Sequence, residues 1–400
     1  MERIGALPQD IRNKNDAEIL RCLAGMKIFT VQDIADITGI SRLTITRAIE
    51  RFMESGLVIA RGKGTSTRLG GKKPLEYSLN PDRYMISVAP SEGSTTCTLM
   101  SFDGNQIAAK KFGFLAEIEY PEYIELSAEA VTDLIRENHV SPDAFYGVIL
   151  CQGGVINHRD GYIQVSSIPH WDGRLNVVED IKKKLPFETN VEIENVSKVC
   201  SSMLRFDKDL QNAYAAVFYA DYGVSITLMN DGRIPETANH VNGELGHMCL
   251  DADDPEECVC GSRGCFEVMI SQKRIFRLVE ELEPEQKEDL LKDYDGKTDI
   301  RAYLLEKEKE GNPDAVRICG YLAKYIGIAF RNVIFATDPD LFVIQGVFAH
   351  ASDSFFEKVK EEIRISKYLK ETDIRFRREP RSLAEMLRLG SLNIIISNLL

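Results

Sequence analysis

At 400 residues, with 44% hydrophobic and 28% charged side chains, the chain is too long for one ordinary compact domain and too rich in apolar material for extended disorder. Its net charge of −13 argues against nucleic acid until the distribution is read. Residues 1–80 hold 13 Lys and Arg against 9 Asp and Glu, a net of +4 that leaves −17 on the remainder; a basic module on an acidic body is what a chain needs when one part must approach phosphate.

Helices are predicted at 16–26, 30–38 and 42–55. Asp16, Thr30 and Ser41 are their N-caps, and Asp33 completes a capping box with Thr30. The third helix places Leu43, Ile45, Ala48, Ile49, Phe52 and Met53 inward. Strands at 57–60 and 75–79 flank a loop of glycines and basic residues. Helix, helix, short turn, helix and two strands make a winged helix-turn-helix, whose third helix enters the major groove by its N-terminal end. Its outward residues are Arg42, Thr44, Thr46 and Arg47. Arg can read a guanine edge, and Thr can bond either a base or a phosphate. Lys63, Arg68, Lys72 and Lys73 suit phosphate contact from the wing. The bland alternative is three small packed helices with ordinary surface charge that serve as a dimer or protein docking module.

A linker is expected around residues 80–82. Beyond it, strands at 85–88, 96–102, 144–150, 215–219, 225–229 and 341–344 alternate with helices at 124–138, 177–184, 315–336 and 353–364. That is the pattern of an α/β domain. The start of the chain lacks the signal-peptide pattern and the apolar runs are short, so a cytoplasmic protein with no membrane partner is expected.

Nine cysteines without a secretion signal suggest a reducing compartment, and three of them cluster. Cys258, Cys260 and Cys265 can wrap one ion, and His247 can supply a fourth ligand. One imidazole and three thiolates match a closed tetrahedral Zn2+ site, which is structural because no position is left for water. The competing reading is a set of buried free thiols or a labile redox trio.

The segments Gly243-Glu244-Leu245-Gly246-His247 and Cys258-Val259-Cys260-Gly261-Ser262-Arg263-Gly264-Cys265-Phe266-Glu267 resemble the ROK family of repressors and sugar kinases. Gly70-Gly71-Lys72-Lys73-Pro74 resembles the end of the wing in its transcriptional-repressor branch. The resemblance implies an actin-like, ribonuclease H-like domain of two lobes over residues 81–400, behind a DNA-binding domain at 1–80. Lobe 1 would span about 81–195 plus a C-terminal helix at about 385–400, and lobe 2 about 196–384. It further implies that Asn195, Glu244, His247 and Glu267 face a sugar or sugar derivative.

Three departures argue against catalysis. The kinases follow the Asn with an Asp as general base, and here Val196 follows Asn195. Ala89-Pro90-Ser91-Glu92-Gly93 and Asp221-Tyr222-Gly223-Val224-Ser225-Ile226-Thr227 stand where two glycine-rich phosphate loops are required. The expectation is a non-enzymatic regulator, a repressor of carbohydrate genes. It would act as a homodimer or homotetramer on a double-stranded DNA operator. A sugar kinase with a fused regulatory domain, and a regulator answering to a protein partner, are the alternatives.

Overall fold

A computed structural model of the chain describes residues 8–24, 26–64, 73–91, 93–114, 117–205, 207–210 and 212–399. The chain divides into two compact units, Met1–Lys208 with Leu383–Leu400, and Asp209–Ser382.

The first unit opens with α1 (Pro8–Ala24), α2 (Val31–Thr38), α3 (Arg42–Glu54), β1 (Val58–Lys63) and β2 (Leu75–Leu79). α2 carries the capping box of Thr30 and Asp33, and Gly39 ends it at φ +67°, in the left-handed region glycine favours. Ser41 caps α3 by accepting from the Thr44 N–H. Ile45, Ala48, Ile49 and Phe52 are buried under α3, a spacing of three and four residues that fits one helical face. β1 and β2 pair antiparallel. The arrangement is a helix-turn-helix followed by an antiparallel strand pair.

Asp16 is no cap. It lies inside α1, buried, and receives the Arg51 guanidinium of α3, with one bond at 3.1 Å. Leu43 is also not inward, at 62% exposed, and Met53 is 40% exposed. Leu43 stands two residues, about 200°, from Ile45, so helical geometry turns it outward despite its apolar side chain.

The rest of this unit runs β3 (Tyr84–Ser91), β4 (Ser94–Ser101), β5 (Gln106–Phe114), α4 (Tyr120–Glu137), β6 (Phe145–Gln152), β7 (Gly154–Asn157), β8 (Tyr162–Ser166), α5 (Val177–Lys184), β9 (Val191–Asn195) and α6 (Val196–Ser202). Its sheet has the order β5-β4-β3-β6-β9. β3, β4 and β5 form an antiparallel meander, and β6 and β9 add in parallel. That is the ribonuclease H-like order. One face packs on α4 and α5 through Ile86, Val88, Leu150 and Ile193.

The second unit runs β10 (Tyr214–Ala220), β11 (Val224–Asn230), α7 (Phe266–Met269), α8 (Gln272–Glu280), α9 (Pro284–Leu291), α10 (Ile300–Lys309), α11 (Pro313–Thr337), β12 (Leu341–Gly346), α12 (Asp353–Arg364) and β13 (Phe376–Glu379). The sheet order is β11-β10-β12-β13. By length and composition α11 could cross a bilayer, but Ile318, Leu322, Ile326, Phe330 and Val333 bury it in the core of this unit. The closing helix α13 (Leu383–Ser397) returns to the first unit and packs on α6 and α1. The boundary expected after residue 195 thus falls after residue 208, and α6 stays with the first sheet.

Candidate functional site

The four candidate metal ligands converge. The ligand atoms of His247, Cys258, Cys260 and Cys265 all lie within 4.8 Å of one another. His247 Nδ1 stands 3.4 Å from Cys258 Sγ, and Cys260 Sγ stands 3.6 Å from Cys265 Sγ. A tetrahedral zinc with bonds of about 2.3 Å to sulfur and 2.0 Å to nitrogen holds its ligand atoms about 3.5–3.8 Å apart, so the set fits that ion.

Local structure explains the convergence. His247 closes a 3-10 turn, Glu244–His247. The hairpin that carries the cysteines is tied by Cys258 N–H to Ser262 O at 2.8 Å and Gly261 N–H to Cys258 O at 2.9 Å. Gly264 sits at φ +64°, and a Cβ there would lie 1.6 Å from Asp251 O. Only glycine lets the two backbones meet. Outside the ligands, Arg274 bonds both oxygens of Asp254 at 2.7 and 2.9 Å. Lys273 and Arg277 reach Glu256. These pairs staple the cysteine loop to α8. The Arg274 guanidinium holds the Asp254 carboxyl below its ordinary range.

Electrostatics ask for a cation. Burial, then the neighbouring Cys260 and Cys258, push the Cys265 thiol up, and burial pushes Cys258 the same way. A divalent ion reverses that by binding thiolates. Facing Cys258 through Nδ1, His247 turns Nε2 to the Glu244 carboxylate, 3.7 Å away. A carboxylate behind a ligating imidazole fixes its tautomer and orientation.

The expected sugar contacts separate into two groups. Glu244, His247 and Glu267 all belong to the second unit. Glu267 accepts a hydrogen bond from the Val224 N–H at 2.9 Å, so part of its acceptor capacity closes a loop. Asn195 belongs to the first unit and caps α6. Its side-chain oxygen accepts from the Ser197 N–H at 2.8 Å and the Ser197 hydroxyl at 2.7 Å, and its amide donates to Gly154 O at 2.7 Å. Val196, half-buried at the start of α6, offers no acceptor.

The two segments at the phosphate-loop positions are built as strand and clamp. Pro90 and Ser91 pair with Thr95 and Ser94 in a tight β3–β4 hairpin. Residues 224–227 are strand, paired with β10. The short bend before them is held by Arg301, 2% exposed, which donates to Asp221 O at 2.7 Å while ion-paired with Asp299. Burial raises the Asp221 carboxyl.

On the helix-turn-helix, Arg42 and Arg47 are exposed at the N-terminal half of α3. The Thr46 hydroxyl donates to Arg42 O, and the Thr44 hydroxyl pairs with Ser41 Oγ. Both threonines therefore serve the helix first. Lys63 is exposed at the end of β1 and Lys73 just before β2; Arg68 and Lys72 lie outside the described residues. Leu43, between Arg42 and Thr44, joins the outward face and was missed. Its three-residue offset from Thr46 and four-residue offset from Arg47 was the available signal.

Comparison with known proteins bears on these features. The xylose repressor of Caldicellulosiruptor bescii is 19% identical over 361 residues, covering 88% of each chain. A crystal structure of a ROK family transcriptional regulator, a homolog of the E. coli MLC protein, superposes with TM-score 0.73 over 97% of each chain at 17% identity. A ROK family glucokinase from Streptomyces griseus, in complex with glucose and AMPPNP, matches 77% of this chain and 97% of its own at TM-score 0.61 and 16% identity. The fold is thus the one shared by ROK regulators and sugar kinases. The pattern of the ROK family matches residues 92–382, and the chain belongs to that family.

Proposed function

We propose that the protein is a cytoplasmic, sugar-responsive transcriptional repressor that binds double-stranded operator DNA as a homodimer or homotetramer. The observation that carries this reading is the helix-turn-helix with Arg42 and Arg47 exposed on α3, joined to a ROK domain with Val196 at the position of the base. Similarity to xylose repressors over most of the chain supports it.

Arg42 and Arg47 read base edges, with Thr44 and Thr46 beside them. Lys63, Arg68, Lys72 and Lys73 hold phosphates. A sugar or sugar derivative is held by Asn195, Glu244, His247 and Glu267, and a structural Zn2+ by His247, Cys258, Cys260 and Cys265. Occupancy reaches the DNA through packed helices: Asn195 caps α6, α6 packs on α13, and α13 packs on α1. Arg51 joins α3 to Asp16 of α1, and Arg205 pairs with Glu18 of α1 at 3.6 Å. A shift of α6 therefore moves the reading helix.

The protein is not a kinase in this reading. Val196 takes no proton, and Arg301 clamps the bend where phosphate would approach. Fluorescence anisotropy of the full chain on genomic DNA fragments, with and without a panel of sugars, tests the regulator. The expected result is salt-sensitive binding that one sugar relieves. Robust ADP release with any hexose or amino sugar would instead favour a kinase with a regulatory module.

A further inference from the structure

The isolated antiparallel bridge between Cys249 and Cys265 sets a fourth thiol opposite a candidate zinc ligand. Two hydrogen bonds fix the register: Leu250 N–H to Gly264 O at 2.7 Å, and Phe266 N–H to Met248 O at 2.8 Å. Both flank the cysteine pair and neither belongs to it. Cys249 and Cys265 therefore form a non-hydrogen-bonded pair, the narrow kind, with Cα atoms about 4.5 Å apart. Disulfides bridge Cα separations of about 4.4–6.8 Å.

Directly opposed residues share one face of a ribbon. Phe266 is buried in the core of the second unit, and Met248 and Leu250 pack against it. Alternation then puts Cys249 and Cys265 together on the opposite face. Cys265 is fully buried among the other ligands, whereas Cys249 is exposed. One thiol is open to solvent, and its partner is held within the metal cluster.

We propose that Cys249 is an oxidation site coupled to the metal centre: a hydroperoxide oxidises it, and Cys265 resolves the product as a Cys249–Cys265 disulfide with loss of the ion. In the first step the Cys249 thiolate attacks a peroxide oxygen. An S–O bond forms, the O–O bond breaks, and hydrogen peroxide is reduced to one water after proton uptake, leaving a sulfenic acid. In the second step the Cys265 sulfur attacks the Cys249 sulfur. An S–S bond forms, the S–O bond breaks, and the hydroxyl leaves as a second water. Two thiols and one hydrogen peroxide give one disulfide and two waters. Cys265 is then lost as a thiolate ligand, and His247, Cys258 and Cys260 alone hold the ion far more weakly. The ion-release half of this inference rests on the zinc reading above; the disulfide half does not.

The test uses the full chain as purified, treated with hydrogen peroxide, with zinc release followed by a chromogenic chelator. Remaining thiols are blocked, and the protein is cut with trypsin and with a protease that cleaves before aspartate. Cleavage before Asp251 separates Cys249 from Cys258 and Cys260, and cleavage after Arg263 isolates Cys265. The expected product is a peptide linking Cys249 to Cys265, formed as zinc leaves. Cys249→Ser is expected to bind zinc like the parent and to lose the rapid release. A link from Cys258 or Cys260 to Cys265 in place of that product would overturn the proposal. So would release unchanged in Cys249→Ser, or an oxidised Cys249 beside a free Cys265. A chain that holds no zinc yet forms the Cys249–Cys265 link overturns the coupling to metal and leaves the thiol pairing standing.

Discussion

Replacing Gly264 by alanine tests how the metal loop is built, and Gly261→Ala is its control. Both glycines have positive φ, +64° and +83°. A side chain in the left-handed region costs about 1–2 kcal/mol, and losing the entropy of glycine in the unfolded chain returns about 0.4–1 kcal/mol. At Gly261 nothing lies within 4 Å of the added Cβ, so the control should lose no more than about 1.5 kcal/mol and keep its metal. At Gly264 the Cβ would stand 1.6 Å from Asp251 O and 2.3 Å from its carbonyl carbon. Those are backbone atoms and cannot swing aside. Relief requires the strands to part, which breaks the bond from Leu250 N–H to Gly264 O and draws Cys265 out of the cluster. Strain and the lost hydrogen bond together come to about 2–3 kcal/mol. For a unit of this size that lowers the melting temperature by about 4–12 °C, before any loss of metal-binding energy. Thermal denaturation and metal analysis read both quantities. Equal behaviour of the two variants, or full zinc content in Gly264→Ala, would refute the close-approach argument.

Three further outcomes are expected. Cys260→Ser should lower zinc from about one per chain to near none, with destabilisation, because structural zinc contributes directly to folding; metal analysis and a melting curve check it. Arg301→Met should cost about 3–5 kcal/mol in urea denaturation, because it leaves Asp299 and the Asp221 carbonyl without their buried donor. Arg47→Ala should weaken operator binding by about 1–3 kcal/mol and relax preference at one base pair, whereas Lys73→Ala should weaken all sequences alike and flatten the salt slope by about one.

Much of the fold was legible because local rules set it. The Thr30–Asp33 box, the Ser41 cap and the Gly39 stop placed α2 and α3 to within a residue or two. Asp16 misled because the same residue type that caps helices also accepts arginine, and its partner Arg51 is 35 positions away. Strand β1 runs on to Lys63, past the expected end at 60, since its exposed Arg61-Gly62-Lys63 end carries no apolar alternation to mark it. β5, β9 and β13 escaped notice for a related reason: charged residues such as Lys110, Glu192 and Arg377 interrupt each strand. The four candidate metal ligands were visible from spacing and residue type, and their ligand atoms converge. The hydrogen bond from Val224 to Glu267 and the Arg301 clamp on Asp221 were not, because each joins residues more than 40 positions apart.

Selection of DNA from a random duplex pool on the full-length protein tests the central claim most directly. The account predicts enrichment of a two-fold symmetric sequence, bound with a log–log salt slope of roughly −5 to −9 for about 6–10 phosphate contacts. A pool that shows no enrichment after repeated rounds, or binding indifferent to salt, would contradict it.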